Sequence, residues 1–261
     1  DIIVFNTCHI REKAAEKIYS ELGKIKEIKK VNFNTKVIIA GCVAQAEGKA
    51  MIKRQPIIDA VIGPQMYHKF KNIVEHVKHQ KIMELDFESN EKFRALNNKR
   101  SIFNRSAFVT IQEGCDKFCS FCVVPYTRGS EFSRTVNEIV FDIKHLSEQG
   151  VREVTLLGQN VSDYSGFYTV KGVVKKLNLS QLINEISEIK GIDRIRYITS
   201  HPADISMDLI NEHKKNMKLM PYLHLPIQSG SDRILKKMNR GYTQKDYISI
   251  IDKIKDVRKD F

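Results

Sequence analysis

The sequence predicts an α/β protein made of two parallel-sheet domains in series. Short β-branched strands alternate with helical patterns from residue 2 to residue 77, and a second alternation of the same kind starts at Ala107. Strand and helix taken in turn favour a parallel sheet with helices on its faces. Between the two runs, Phe87 to Ser106 keeps no apolar period and is dominated by polar and basic residues, as a linker is. The expected boundaries are a first domain at 1–80, a linker at 81–106 and a second domain at 107–261.

In the first domain the expected elements are strand Ile2 to Cys8, helix Glu12 to Lys30, strand Lys36 to Gly41 and helix Ala44 to Arg54. Strand Asp59 to Ile62 and helix Met66 to Val77 follow. Ligands of such sheets collect at the carboxyl ends of the strands. Cys8 and Cys42 stand at the ends of two successive strands, so both should face one edge.

In the second domain, strand Phe108 to Gln112 runs into a cysteine loop, and helix Val136 to Glu148 leads to strand Glu153 to Leu157 and Gly158-Gln159-Asn160. Helix Leu179 to Ile189 precedes strand Arg194 to Thr199 and Ser200-His201-Pro202. Helix Met207 to Asn216 precedes strand Tyr222 to Ile227 and Gln228-Ser229-Gly230-Ser231, after which helical patterns continue to the end. Four β/α units with polar residues at each strand end describe most of a partial barrel, whose site lies at the carboxyl face.

The 261 residues carry a formal net charge of +12, a balance that favours a polyanionic partner. No apolar run reaches transmembrane length and no lipidation motif is present, which points to nucleic acid rather than a membrane. An odd count of five cysteines with no secretory signal in view suits a reducing, cytoplasmic setting. Asp1 opens directly into an apolar strand without an initiator Met, and the last residues stop in or just beyond a helical pattern. The expectation is a chain truncated at both ends.

The cysteines Cys115, Cys119 and Cys122 lie in Glu113-Gly-Cys-Asp-Lys-Phe-Cys-Ser-Phe-Cys122, a C-x3-C-x2-C spacing directly after an apolar strand. A disulfide with a spare thiol, a structural zinc site and three inert buried thiols are the plain alternatives. Zinc lacks the second ligand pair that normally completes its set. Thiolates are the usual ligands of iron-sulfur clusters, and a four-iron cluster takes four. A loop offering three leaves one iron open to an exogenous group.

These residues resemble the radical SAM superfamily, whose signature is this spacing after the first barrel strand. The first domain narrows the resemblance. Asn6-Thr-Cys-His-Ile-Arg-Glu-Lys-Ala14 and Gly41-Cys-Val-Ala-Gln45 are similar to two of the three N-terminal cysteine motifs of the methylthiotransferases. Val123-Val-Pro-Tyr-Thr-Arg-Gly129, Leu157-Gly-Gln-Asn160 and Thr199-Ser-His-Pro202 resemble the same family.

The resemblance implies a Rossmann-like N-terminal methylthiotransferase domain and an incomplete radical SAM barrel, with a C-terminal RNA-binding TRAM-type domain absent. It implies two 4Fe-4S clusters and S-adenosylmethionine. Cys115, Cys119 and Cys122 would ligate the cluster that cleaves the cofactor, with its last iron bound by the cofactor's amino and carboxylate groups. Cys8 and Cys42 would help hold an auxiliary cluster, whose third cysteine motif would precede Asp1. The implied reaction adds a methylthio group to carbon 2 of an isopentenyl-type adenosine in the tRNA anticodon loop. Threonylcarbamoyl adenosine and a ribosomal-protein aspartate are the alternative substrates of the family, and a zinc-stabilised RNA-binding module is the alternative outside it. An electron-donor protein, no membrane and a monomer are also expected, and the isolated chain should lack full turnover.

Further candidates are less specific. Phe121 is a candidate to pack near the adenine of the cofactor, with core packing as its plainer reading. Gly158 suits a close approach of backbone to a cofactor, and Gln159, Asn160, Ser200, Gln228 and Ser229 are candidates for binding cofactor polar groups. Strand-to-loop turns and a helix N-cap at Ser231 are their plainer readings.

Overall fold

The computed structural model describes residues 1–9, 12–87 and 105–261, in two compact units. The first contains the described residues up to Phe87 together with Val123–Gly129; the second contains Arg105–Cys122 and Ser130–Phe261.

The first unit comprises β1 (Ile2–Thr7), α1 (Glu12–Val31), β2 (Lys36–Gly41), α2 (Cys42–Glu47), α3 (Lys49–Arg54), β3 (Ala60–Ile62), α4 (Phe70–His76) and β4 (Ile82–Glu84). The strands form one parallel sheet in the order β1-β2-β3-β4. Alternate side chains of a strand point to opposite faces, and both faces of β2 are covered. Val37 and Ile39 pack with Leu22, Val43 and Met51 on one side. Ile38 and Ala40 pack with Met66, Ile73 and Val77 on the other.

Three details differ from the sequence expectation. The helix expected at 44–54 breaks at Gly48, whose φ of 48° suits glycine and ends the helical run. The helix expected from Met66 starts as a 3-10 turn over Pro64–Lys69 before becoming α4. Strand β4 lies inside the stretch read as linker, where three residues are too few to show a period; its backbone pairs Ile82 with Ala60, and Ile82 packs on the Ile38 face. Most of that stretch, 88–104, lies outside the described residues, as do Ile10 and Arg11 of the first cysteine motif.

The second unit begins with β5 (Ser106–Thr110) and β6 (Gln112–Glu113). Helix α5 (Val124–Arg128) comes next in the chain but clusters with the first unit. There follow β7 (Phe132–Ser133), α6 (Val136–Glu148), β8 (Glu153–Leu157), β9 (Ser165–Val170), β10 (Val173–Asn178), α7 (Leu179–Ser187), β11 (Arg194–Tyr197), α8 (Met207–Lys215), α9 (Asp232–Lys237) and α10 (Gln244–Val257). The central sheet is parallel, in the order β11-β8-β5. Its buried Val109, Val154, Leu156, Ile195 and Tyr197 form one core with Ile139, Ile143, Leu182, Ile183 and Leu209 of the helices.

The helix starts are written locally. Thr135 with Glu138, Asn178 with Gln181 and Thr243 with Asp246 form reciprocal capping boxes at α6, α7 and α10. Each satisfies N–H groups that a helix start leaves unpaired.

The strand expected at 222–227 does not form. A single parallel bridge joins Ile195 to Leu219. Thr199 has a φ of 70°, which bends the chain out of the extended conformation that a longer ladder requires. The Thr199 N–H then donates to His224 Nδ1 and the Ser200 N–H to the His224 carbonyl. The β9–β10 hairpin and the antiparallel β6–β7 pair were not anticipated.

Two tests follow from this packing. Ile143→Ala, at a fully buried position, should cost about 2–5 kcal/mol in denaturant unfolding. Phe141→Ala, on the same helix but 67 % exposed, should change stability by no more than about 0.5 kcal/mol. The second test concerns acid. Burial, and then the nearby Arg258 charge, lower the His213 pKa from 6.5 to about 4. Because its folded pKa lies below its unfolded one, the unfolded chain binds the proton first. Stability should therefore fall as pH drops from 6.5 to about 4, by about 3 kcal/mol at most. Unfolding across that pH range should show a shallower slope in His213→Gln.

Candidate functional site

The carboxyl edge of the second unit is organised by Gln112, whose side chain is fully buried. Its Nε2 donates to the Gly114 carbonyl at 2.9 Å, and its Oε1 accepts the N–H groups of Gln159 at 2.8 Å and Asn160 at 3.2 Å. One amide thus ties the segment after β5 to the segment after β8. Gln159 returns the tie, its Oε1 accepting the Gly114 N–H at 2.8 Å. Gly158 permits the approach: a Cβ there would stand 2.5 Å from Gln112 Oε1. The tight neighbour of Gly158 is thus the Gln112 side chain, where the sequence reading expected a cofactor.

The cysteine loop grows from this knot and is held along its length. Lys117 pairs with Asp204 at 2.6 Å and Asp163 at 3.1 Å. Burial opposes the Lys117 charge, but the two carboxylates outweigh it and raise its pKa. The Ser120 N–H donates to the Met238 carbonyl at 3.1 Å and its hydroxyl to the Lys237 carbonyl at 2.9 Å. Asn239 Nδ2 donates to the Phe118 carbonyl at 3.1 Å, and Arg240 Nη1 donates to Cys119 Sγ at 3.1 Å. Within the loop, the Cys122 N–H donates to the Cys119 carbonyl at 2.9 Å.

The three thiols form one electrostatic group. Cys119 is buried, and Cys115 and Cys122 are half-buried. Burial pushes the Cys115 thiol up to about 11, and the proximity of Cys122, Glu131 and Cys119 pushes in the same direction. Glu131 is raised to about 8 by burial and by the charges of Asp163 and Asp116. A cationic ligand beside it would favour its ionised form.

Among the described residues no three His, Cys, Asp or Glu side chains are arranged to hold a single metal ion. A cluster of several irons spreads its thiolates more widely than one ion does, and a donor set of three cysteines matches its chemistry.

The other expected positions fall into three groups. Asn160 is buried, with its Nδ2 donating to Asp204 at 2.7 Å and its Oδ1 accepting from Ser162 at 2.9 Å, so its polar groups are engaged. Ser200 Oγ and His201 Nε2 are buried without a partner. Burial, and then Arg240, hold His201 down to about 4, so it is neutral at pH 7. Phe121 is 54 % exposed and not a core residue. Gln228 is exposed with a φ of 69°. Ser229 Oγ accepts the Ser231 N–H at 3.1 Å, so Ser229 builds the turn, and the Ser231 side chain makes no capping bond to α9.

In the first unit, Thr7 and Gly41 are register partners, and Cys8 and Cys42 follow them at the same carboxyl edge. Gly41 has a φ of 102°, and a Cβ there would lie 2.2 Å from the Thr7 carbonyl oxygen. Thr7 Oγ1 donates to the Ala40 carbonyl at 2.7 Å and accepts the Val43 N–H at 3.2 Å, fixing where both chains leave the sheet. Cys8 is exposed and Cys42 is buried. His9 Nδ1 and Gln45 Oε1, each within three residues of one of these thiols, are buried without partners. Two thiols are fewer than an independent cluster site needs.

Sequence reasoning missed Gln112, Lys117, Glu131, Asp204, Asn239 and Arg240. Gln112 carried a signal, being polar at the end of an apolar run directly before the cysteines. Arg240 and Asn239 carried none, since they lie more than a hundred residues from the loop they hold.

Comparison with known proteins agrees with this geometry. The family model for the radical SAM superfamily matches residues 109–260, and that of uncharacterized protein family UPF0004 matches residues 1–63. The chain is 51 % identical over 261 residues to a tRNA-2-methylthio-N(6)-dimethylallyladenosine synthase of Jannaschia sp. (strain CCS1) and 50 % identical over 262 residues to one of Ruegeria sp. (strain TM1040). All of this chain is covered in both alignments, but only 56 % and 59 % of those relatives. The chain thus spans a little over half their length. Among solved structures, the radical S-adenosylmethionine methyltransferase TsrM from Kitasatospora setae, with tryptophan and a SAM analog bound, superposes with a TM-score of 0.66 at 11 % identity. It covers 98 % of this chain and 54 % of that one, a likeness of fold. With the three-cysteine loop at the carboxyl edge of its parallel sheet, and a family model over more than half its length, this chain belongs to the radical SAM superfamily.

Proposed function

We propose that this chain is the catalytic portion of a tRNA methylthiotransferase, which places a methylthio group on carbon 2 of an isopentenyl-type adenosine beside the anticodon. The observation that carries the reading is the loop Cys115–Cys122. The loop is tied by the Gln112 knot at Gly114 and by residues 237–240 at Phe118 to Ser120, with Arg240 reaching the Cys119 sulfur. The activity for which the relatives are named and the net charge of +12 support the choice of tRNA.

Cys115, Cys119 and Cys122 are the residues that would hold a 4Fe-4S cluster. When bound and reduced, such a cluster supplies the electron that breaks a carbon-sulfur bond of S-adenosylmethionine. The chain's own part is positioning. Lys117, fixed by Asp163 and Asp204, sets the path of the loop between the first two thiols. The unpaired Ser200 hydroxyl and His201 Nε2 offer polar atoms to a ligand at the same strand ends. Glu131 offers a carboxyl to a cationic group such as the cofactor's ammonium. Cys8 and Cys42 would contribute to an auxiliary cluster that needs a further ligand.

The adenosine belongs to a single-stranded loop, the form in which RNA bases are accessible for recognition. A cytoplasmic, monomeric protein served by a separate electron donor fits the tRNA substrate. Among the described residues no helix is long and apolar enough to cross a membrane.

The test is anaerobic reconstitution with iron and sulfide, followed by assays for 5'-deoxyadenosine formation and, in the longer protein, for methylthio-adenosine in tRNA by mass spectrometry. Wild type should bind iron and cleave the cofactor. Cys115→Ala, Cys119→Ala and Cys122→Ala should each lose cleavage by at least about a hundredfold. Zinc without iron, with salt-sensitive tRNA binding, would instead identify an RNA-binding module.

A further inference from the structure

Arg240 is 6 % exposed, and a buried guanidinium is costly unless an anion meets it. Among the described residues no carboxylate forms an ion pair with it. Asp204 is committed to Lys117 at 2.6 Å and to Asn160 at 2.7 Å. His201 is neutral at pH 7 and brings no negative charge.

What Arg240 does reach is sulfur. Nη1 lies 3.1 Å from Cys119 Sγ, while Nε donates to Tyr242 Oη at 3.4 Å. The Tyr242 hydroxyl donates in turn to the Ile227 carbonyl, which leaves its lone pairs facing the guanidinium. The Tyr242 ring centroid lies 5.4 Å from the guanidinium carbon. The Asn239 amide, bonded to the Phe118 carbonyl, holds the preceding residue against the loop. The side chain is therefore steered from two sides toward one thiol.

We propose that Arg240 is a positioning residue: the fixed counter-charge of the cysteine loop, which donates to the Cys119 sulfur and raises the reduction potential of the cluster that the loop would hold. The inference rests on the cluster reading above. Hydrogen bonds to cluster sulfurs and the net charge around them are what tune such potentials. Reduction adds one electron from a low-potential donor and moves no proton. The more negative reduced form gains more from a fixed cation than the oxidised form does.

The experiment is an EPR-monitored redox titration, with dithionite as reductant, of the anaerobically reconstituted chain as wild type, Arg240→Gln and Arg240→Lys. At the wild-type midpoint, the ratio of reduced to oxidised cluster should fall about tenfold in Arg240→Gln, a shift of about 59 mV for one electron. Arg240→Lys keeps the charge without the planar fork and should lie between the two. The Lys variant also keeps the test open if the Gln variant does not fold. Midpoints equal to wild type in every folded variant, at equal iron content, would overturn the proposal and leave the cluster reading intact. A wild-type chain that binds no iron would overturn both.

Discussion

One side-chain amide holds the carboxyl edge of the second unit together. Gln112 is fully buried and bonded through both ends to the backbone of Gly114, Gln159 and Asn160. It is the point where the first strand of the second unit, its central strand and the cysteine loop become one object. A buried amide of this kind is either satisfied at both ends or costly, which fixes the geometry tightly. Gly158 belongs to the same constraint, because any side chain there would meet Gln112.

From that knot the loop extends to a second anchor that arrives from the far end of the chain. The carbonyls of Lys237 and Met238, the Asn239 amide and the Arg240 guanidinium all hold residues 118–120. The thiols are thus placed by rigid elements on both sides rather than left on a free loop, as a site that binds a cluster requires. Polar groups are distributed unevenly around it. Asp163 and Asp204 serve Lys117, whereas Arg240 faces sulfur. The polar atoms without partners, Ser200 Oγ and His201 Nε2, lie at a strand end of the same sheet.

The fold class was legible because hydrophobic period and β-branching survive in a single sequence: β8 and α6 fall within the expected bounds. The three loop cysteines were legible as a candidate site because they are neighbours in the chain. What escaped is non-local. The strand expected at 222–227 has the composition of a strand, but the positive φ of Thr199 removes its partner, and no pattern in 222–227 reports that. The β9–β10 hairpin carries lysines where a strand is usually sought by its apolar alternation. Arg240 reads as one more basic residue in a lysine-rich tail until the fold brings it to Cys119. Spacing picks out residues that are neighbours in the chain and misses the distant ones that hold them in place.

The central claim is that the loop Cys115–Cys122 offers three thiolates and leaves one iron of a cluster open. The most direct test is the Mössbauer spectrum of the anaerobically iron-loaded chain, recorded before and after addition of S-adenosylmethionine. The account predicts a four-iron cluster in which a single iron site changes its isomer shift and quadrupole splitting when the cofactor is added. A cluster whose irons all stay unchanged, or a chain that takes up zinc and no iron, would contradict it.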